Sequence, residues 1–470
     1  MSGDERFDRE IRSALHDLAS HAAPDRLVDR VASIPTRAPT FAPRRSFMRI
    51  TTALAAAAVI VVVAAAVIVT RPGGSSPIAG APATSSAVPT TPASAPATTS
   101  PSAAPSAAPS AAPAGIPVPA GFQAVSVTFA SPDLGWVLGT AQCSAPPCTS
   151  VLRTSDGGQT WVSIPAPRTP VLGAGLATET PVGSGVSGLR FADPSDGWAF
   201  GPDLWATHDG GATWHRVTIP GMASAQVVAL EASGGFAHAV LYDIAGTSGP
   251  SVRVASSSVS GDVWTTSPLK VELGAGPVPG SQLVLAGASG WLLQVDRTVV
   301  GGARLVNGAW VAWTPPCASV VGPAVLAASS PTELDAACDV GLWSTPKGEH
   351  LYVSHDGGKT FAETGTPVPL DQTAEIASPS AGVVFVAGTT SQGSAIIGSF
   401  DGGQTWQTTL EVAQSAGQDA GFTYLGFTTS TQGVAITESG AGTSNGLQQV
   451  GTLLMTRDGG RTWTKVSFGA

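Results

Sequence analysis

One octapeptide, Ser/Thr-x-Asp-x-Gly-x-Thr-aromatic, occurs five times in the second two-thirds of this 470-residue chain. The copies are residues 154–161 (TSDGGQTW), 207–214 (THDGGATW), 354–361 (SHDGGKTF), 399–406 (SFDGGQTW) and 456–463 (TRDGGRTW). A motif that returns about every 50 residues imposes a repeat architecture, because each unit buries its apolar face only against the next copy. Within a copy, the glycines supply the positive-φ positions of a tight turn between two strands. The Asp carboxylate and the Ser/Thr hydroxyl are suited to bond backbone N–H groups of that turn. The aromatic opens the next strand and is expected to pack back over the turn.

The spacing counts the units. Asp156 and Asp209 lie 53 apart, and Asp356, Asp401 and Asp458 follow one another at 45 and 57. The gap of 147 between Asp209 and Asp356 holds about three periods, so two eroded copies are expected there. Residues 257–264 (SSVSGDVW) carry Val259 in the aspartate's place, and residues 306–313 (VNGAWVAW) keep Trp313. A second motif runs in step: a strand, a polar turn and a Gly-led strand, as in residues 125–139 (VSVTFASPDLGWVLG) and 188–201 (GLRFADPSDGWAFG). Seven such segments precede seven turns. Each unit therefore reads as four strands, and residues 119–470 are expected to form an all-β, seven-bladed β-propeller of four-stranded antiparallel blades.

The octapeptide resembles the Asp-box (BNR) repeat of sialidase-like propellers, which also occurs in sortilin-type receptors and in photosystem II assembly-factor propellers. The resemblance covers roughly residues 120–468 and implies the fold; the families that share it differ in function. On this reading Asp156, Trp161, Asp209, Trp214, Asp356, Phe361, Asp401, Trp406, Asp458 and Trp463 are structural. A sialidase site would need an arginine triad, a Tyr/Glu nucleophile pair and an Asp acid/base. The Arg-Ile-Pro motif of that family is absent, and the chain has only Tyr242, Tyr352 and Tyr424. Arg168, Arg190, Arg216, Arg253, Arg297 and Arg304 stand in no matching context, and Arg190 in GLRF reads as a strand residue. The octapeptide carboxylates sit in equivalent turns of different blades, too dispersed to flank one bond. No catalytic, cofactor-binding or metal-ligating residue is therefore assigned.

The rest of the chain points to a membrane. Residues 50–70 (ITTALAAAAVIVVVAAAVIVT) hold no charge and as a helix would run about 31 Å, enough to span a bilayer. Arg37, Arg44, Arg45 and Arg49 precede this run, and no Lys or Arg lies between Arg71 and Arg153. The positive-inside rule then places residues 1–49 in the cytoplasm and the propeller outside a bacterial plasma membrane, as a single-pass protein. Residues 71–118, nearly all Ala, Pro, Ser, Thr and Gly, read as a disordered stalk. In residues 1–49, Phe7, Ile11, Leu15 and Leu18 fall on one stripe of a short amphipathic helix.

Charge sharpens the division. Residues 1–49 hold nine Arg against seven Asp/Glu, whereas residues 119–470 hold 13 Lys/Arg against 25 Asp/Glu. So acidic a domain argues against nucleic acid. The four cysteines, Cys143, Cys148, Cys317 and Cys338, all fall on the expected outer side, where disulfides persist. Local pairs Cys143–Cys148 and Cys317–Cys338 are favoured among three connectivities. Trp136, Trp198 and Trp291, each after a Gly, are expected to pack between blades. Together these features lead to a non-enzymatic surface protein that binds or scaffolds a glycan or a protein. An exo-glycosidase of sialidase type and a transmembrane sensor acting through residues 1–49 stand as alternatives.

Overall fold

The computed structural model describes residues 116–172, 184–243, 250–272, 280–296, 298–318, 322–339, 349–413, 420–443 and 446–469. These form seven antiparallel sheets built in strict chain order, the blades of a seven-bladed propeller. Blade 1 comprises Gln123–Phe129, Gly135–Thr140, Thr149–Thr154 and Val162–Ile164; blade 2 comprises Gly188–Phe191, Gly197–Phe200, Leu204–Thr207 and His215–Arg216. The remaining blades begin with Gln226–Ser233, Gly280–Ala286, Ala324–Ala328, Gln372–Ser380 and Ala420–Phe427. In blade 3 the outer strand is split into Thr265–Thr266 and Val271–Glu272, both paired to Ser251–Ser258. The first strands of successive blades touch and form the inner wall. The expected cytoplasmic segment, membrane span and nearly all of the stalk lie outside the described residues. Among the described residues no helix is long and apolar enough to cross a membrane.

The Gly-led second strands have a steric cause. Phe129, Phe191 and Phe427 end their first strands directly opposite Gly135, Gly197 and Gly433. A Cβ on any of these glycines would lie 2.6 to 2.8 Å from the facing phenyl ring. Each glycine is thus the space into which a cross-strand aromatic folds, an arrangement open only to a residue without a side chain.

Seven apolar clusters fill the seven junctions between blades. Trp136, Trp198 and Trp291 are buried within them, at 0 to 1 % exposure. The aromatic that ends each octapeptide enters the cluster shared with the preceding blade: Trp161 joins Val434 and Met455 of blade 7, and Trp463 joins Phe385 of blade 6. Trp161 also packs back over its own turn, where its Nε1 donates to the Gly158 carbonyl at 3.2 Å. The second octapeptide glycine also abuts the preceding blade, Gly403 against Leu351 and Gly460 against Phe385. These turns staple one blade to the last.

The eroded copies keep this role differently. In blade 3, without an aspartate, the Ser257 hydroxyl donates to the Gly261 carbonyl (2.8 Å), and Trp264 still packs against blade 2. In blade 4 the turn has shrunk to Asn307-Gly308, both at positive φ, between Thr298–Val306 and Ala309–Ala312. There Trp310, not Trp313, packs against blade 3. Trp313 faces the following blade and donates to the Gly358 carbonyl at 2.7 Å. The expected register of the fourth copy is thus displaced by three residues, because the shortened turn brings the inward aromatic closer to the strand before it.

The ring closes without exchanging a strand, since blade 1 is wholly N-terminal and blade 7 wholly C-terminal. Closure rests on the blade 7–blade 1 cluster, on a bond from the Arg457 guanidinium to the Gly157 carbonyl, and on Gln432 Nε2 donating to the Pro132 carbonyl at 2.8 Å. Ile116, the first described residue, adds a two-bond bridge to Ser163 on the outer strand of blade 1. Disulfides join Cys143 to Cys148, in the hairpin loop of blade 1, and Cys317 to Cys338, at the start of blade 5.

Candidate functional site

The inner wall brings polar groups from four blades to one place. Arg190 of blade 2, Glu231 of blade 3, Glu375 of blade 6 and Tyr424 of blade 7 come from the first strands of their blades. Arg190 Nε lies 2.7 Å from Glu231 Oε1, its Nη1 donates to the Leu189 carbonyl at 2.8 Å, and its guanidinium sits 5.2 Å from the Tyr424 ring centroid. A recess of about 170 Å³ opens here, lined by Arg190, Glu231 and Tyr424 together with Phe129, Phe191 and Phe427. Gly426 leaves room for the tyrosine, since a Cβ there would lie 2.7 Å from the Tyr424 hydroxyl.

Electrostatics in the recess are settled internally. Burial disfavours the guanidinium's charge, but the neighbouring Glu231, Tyr424 and Glu375 outweigh it and raise the Arg190 pKa. Burial pushes Glu375 up to about 8 against the pull of Arg190, so it keeps its proton at neutral pH. Burial likewise raises Tyr424. Arg190 is the strand residue expected from its GLRF context; its strand belongs to the inner wall, and its side chain reaches the tyrosine of blade 7. The sequence signal was the equivalence of strand position. Arg190 and Glu231 each follow the buried leucine of their first strand, Leu189 and Leu230.

The octapeptide aspartates do different work. In blade 1 the Thr154 hydroxyl donates to Asp156 Oδ1 at 2.8 Å, and the Gly158 N–H donates to Thr154 Oγ1 at 2.8 Å. The Thr160 N–H and hydroxyl donate to the two Asp156 oxygens at 2.9 and 2.6 Å. The same hydroxyl–carboxylate–threonine bonds recur around Asp209, Asp356, Asp401 and Asp458. The threonine hydroxyls are the leading cause that holds Asp401 and Asp458 at about 2; for Asp156 slight burial opposes, and the same kind of bonds still bring it to about 2. Carboxylates held ionised by their own turns are unsuited to general acid or base work near neutrality.

Measured against a sialidase site, the recess holds one arginine, already ion-paired, among the described residues. Tyr242 lies buried in the blade 3–blade 4 cluster, and Tyr352 lies in blade 5, where its hydroxyl donates to Glu363 at 3.3 Å. Arg297 and Trp343 lie outside the described residues. The sequence reading also missed a second polar cluster, at the junction of blades 2 and 3. There His208, His215 and Asp262 bring one ligand atom each to within 4.8 Å of the others, the one such group of three among the described residues.

No protein-family model matches the sequence, and no curated protein does. Similar solved structures include YCF48 bound to D1 peptide, at 20% identity over 73% of this chain and 96% of that one, with a TM-score of 0.47. YCF48 from Cyanidioschyzon merolae is 17% identical over 73% and 98% of the two chains, with a TM-score of 0.46. A puromycin-hydrolysing peptidase from Mycobacterium tuberculosis is 13% identical over 75% and 56%, with a TM-score of 0.46.

Proposed function

We propose that this chain is a membrane-anchored, externally displayed propeller that binds a segment of a protein partner at the mouth of its channel without chemical turnover. The observation that carries this reading is the state of Arg190. Its charge is met by Glu231 at 2.7 Å and covered by the Tyr424 ring, which leaves no free cation among the described residues lining the recess to grip an acidic sugar. Size supports a protein partner: about 170 Å³ falls below the roughly 300–1,000 Å³ of sites that enclose a small ligand, and suits one inserted side chain. The half-buried Phe129 and Phe427 side chains on the recess wall suit an interface, where aromatics are enriched. The external placement draws on the charge asymmetry of the chain and on two disulfides, which persist in oxidising compartments.

The glycosidase reading draws on one specific observation, a carboxyl at Glu375 that keeps its proton at neutral pH as a general acid must. Two experiments separate the readings. A photo-crosslinking residue at Thr428, on the recess wall, should capture a polypeptide in intact cells, and labelling of glycan alone would overturn the protein-partner reading. The full chain in detergent should leave fluorogenic sialosides intact; turnover abolished by Glu375→Gln would replace the proposal with the glycosidase. Protease treatment of intact cells should release the propeller, and protection of it would reverse the topology.

A further inference from the structure

We propose that His208, His215 and Asp262 form a binding site for a divalent transition-metal ion of the zinc type, bridging blades 2 and 3. His208 is the second residue of the blade 2 octapeptide, His215 directly follows that octapeptide's Trp214, and Asp262 comes from the eroded octapeptide of blade 3. Asp262 Oδ2 lies 3.2 Å from His208 Nε2 and 2.6 Å from His215 Nε2. Imidazole and carboxylate ligands bind zinc at about 2.0–2.1 Å, which sets ligand atoms about 3.3 Å apart in a tetrahedron. The His208–Asp262 spacing already fits. His215 has a half-exposed side chain that is free to adjust from its 2.6 Å contact, and with all three ligand atoms within 4.8 Å of one another the group can close to a three-ligand face with an open fourth position.

Two further observations point to a cation. Nδ1 of His208 is hydrogen-bonded to Asp196, which is buried at 8 % exposure, and this turns Nε2 towards Asp262. A carboxylate on the far nitrogen is the partner that orients metal-bound histidines. Finally, Asp262 Oδ1 is buried without a hydrogen-bond partner, so a carboxylate with an unspent oxygen stands at the site.

Blade 5 supplies an internal control. His355 holds the same octapeptide position as His208 and pairs with Glu333 at 2.6 Å, as His208 pairs with Asp196. The residue after its aromatic is Ala362, so the second imidazole is missing there. A His–carboxylate pair alone is thus a turn feature of this repeat, and the added His215 and Asp262 distinguish the blade 2–blade 3 junction.

The test uses the full chain in detergent, stripped with chelator and dialysed against Zn²⁺ or Co²⁺. One equivalent of metal should be retained, with visible d–d absorption for Co²⁺ and a Zn²⁺-dependent rise in Tm. His215→Ala and Asp262→Asn should each weaken retention at least tenfold, whereas His355→Ala should leave it unchanged. His215 is half-exposed, so its loss leaves the fold intact, and circular dichroism of the variant checks this. Sub-stoichiometric retention by the native chain, or equal retention by His215→Ala and His355→Ala, would overturn the site.

Discussion

The indole of Trp136 lies flat on the phenyl ring of Phe191 across the junction of blades 1 and 2, with centroids 3.8 Å apart and planes 3° from parallel. Phe191 in turn occupies the space left by Gly197 on the neighbouring strand of its own blade. Three motif positions are thereby locked together: the tryptophan after one Gly-led turn, the phenylalanine before the next, and the glycine between strands.

Truncating this stack should be among the costlier single changes in the chain. Trp136 is fully buried, and Trp136→Ala is expected to lose about 3–5 kcal/mol. A double-mutant cycle with Phe191→Leu should show a coupling of about 0.5–1.5 kcal/mol, the part due to ring contact. Urea unfolding followed by far-UV circular dichroism measures both. Additive losses would reduce the stack to ordinary area burial.

Acid should loosen the octapeptide turns together. Asp156, Asp401 and Asp458 titrate at about 2 in the folded chain, against about 3.9 for a free aspartate. A carboxylate whose folded pKa is depressed contributes stability that is present above its unfolded pKa and lost as pH falls through the folded value. The loss therefore belongs between about pH 4 and pH 2. Asp458→Asn should lower Tm by a few degrees at pH 7 and shrink the fall between pH 4 and 2. A variant with an unchanged acid limb would detach the carboxylate from turn stability.

The repeat was legible because its chemistry is local. The octapeptide closes on itself through bonds spanning two to four residues, so the pattern alone exposes it. The eroded fourth copy was misplaced because what survives there is an interblade contact, Trp310 against blade 3, which no local pattern marks. Arg190 and Tyr424 escaped for the same reason. They are 234 positions apart and meet only because ring closure sets blades 2 and 7 on either side of blade 1. His208 and His215 carry no local pattern of their own, because their third partner, Asp262, comes from the next blade.

Neutral and alkaline pH should strain a different place. Glu349 of blade 5 is 2 % exposed and accepts the Thr373 N–H from blade 6, and its second oxygen has no partner among the described residues. Burial pushes its pKa up to about 8. The folded chain then holds a proton that the unfolded chain releases near pH 4.5, so this stability is full below that pH and is lost as pH rises to about 8. Glu349→Gln should raise stability at pH 8 by on the order of 2–4 kcal/mol and flatten the slope between pH 5 and 8. Glu375, also at about 8, leaves part of the slope in place. Denaturant midpoints across this range decide the matter: a slope unchanged by the substitution would place the titration elsewhere.

The two glycines of one octapeptide should prove unequal. Gly402 and Gly403 both adopt positive φ, at 73° and 81°. A Cβ on Gly402 would meet nothing within 4 Å, whereas one on Gly403 would lie 2.6 Å from Leu351 Cδ2 of the preceding blade. Gly402→Ala therefore bears only the left-handed backbone cost, about 1–2 kcal/mol. Gly403→Ala bears that cost and, in addition, about 1–3 kcal/mol for overpacking the blade 5–blade 6 junction. Leu351→Ala has its own core cost, so the diagnostic is coupling: its loss should be less than additive with Gly403→Ala and additive with Gly402→Ala, because only Gly403 touches that side chain. Thermal denaturation of the three variants reads the difference. Equal losses at the two glycines would mean that the turn shapes its own hairpin and does not staple blade to blade.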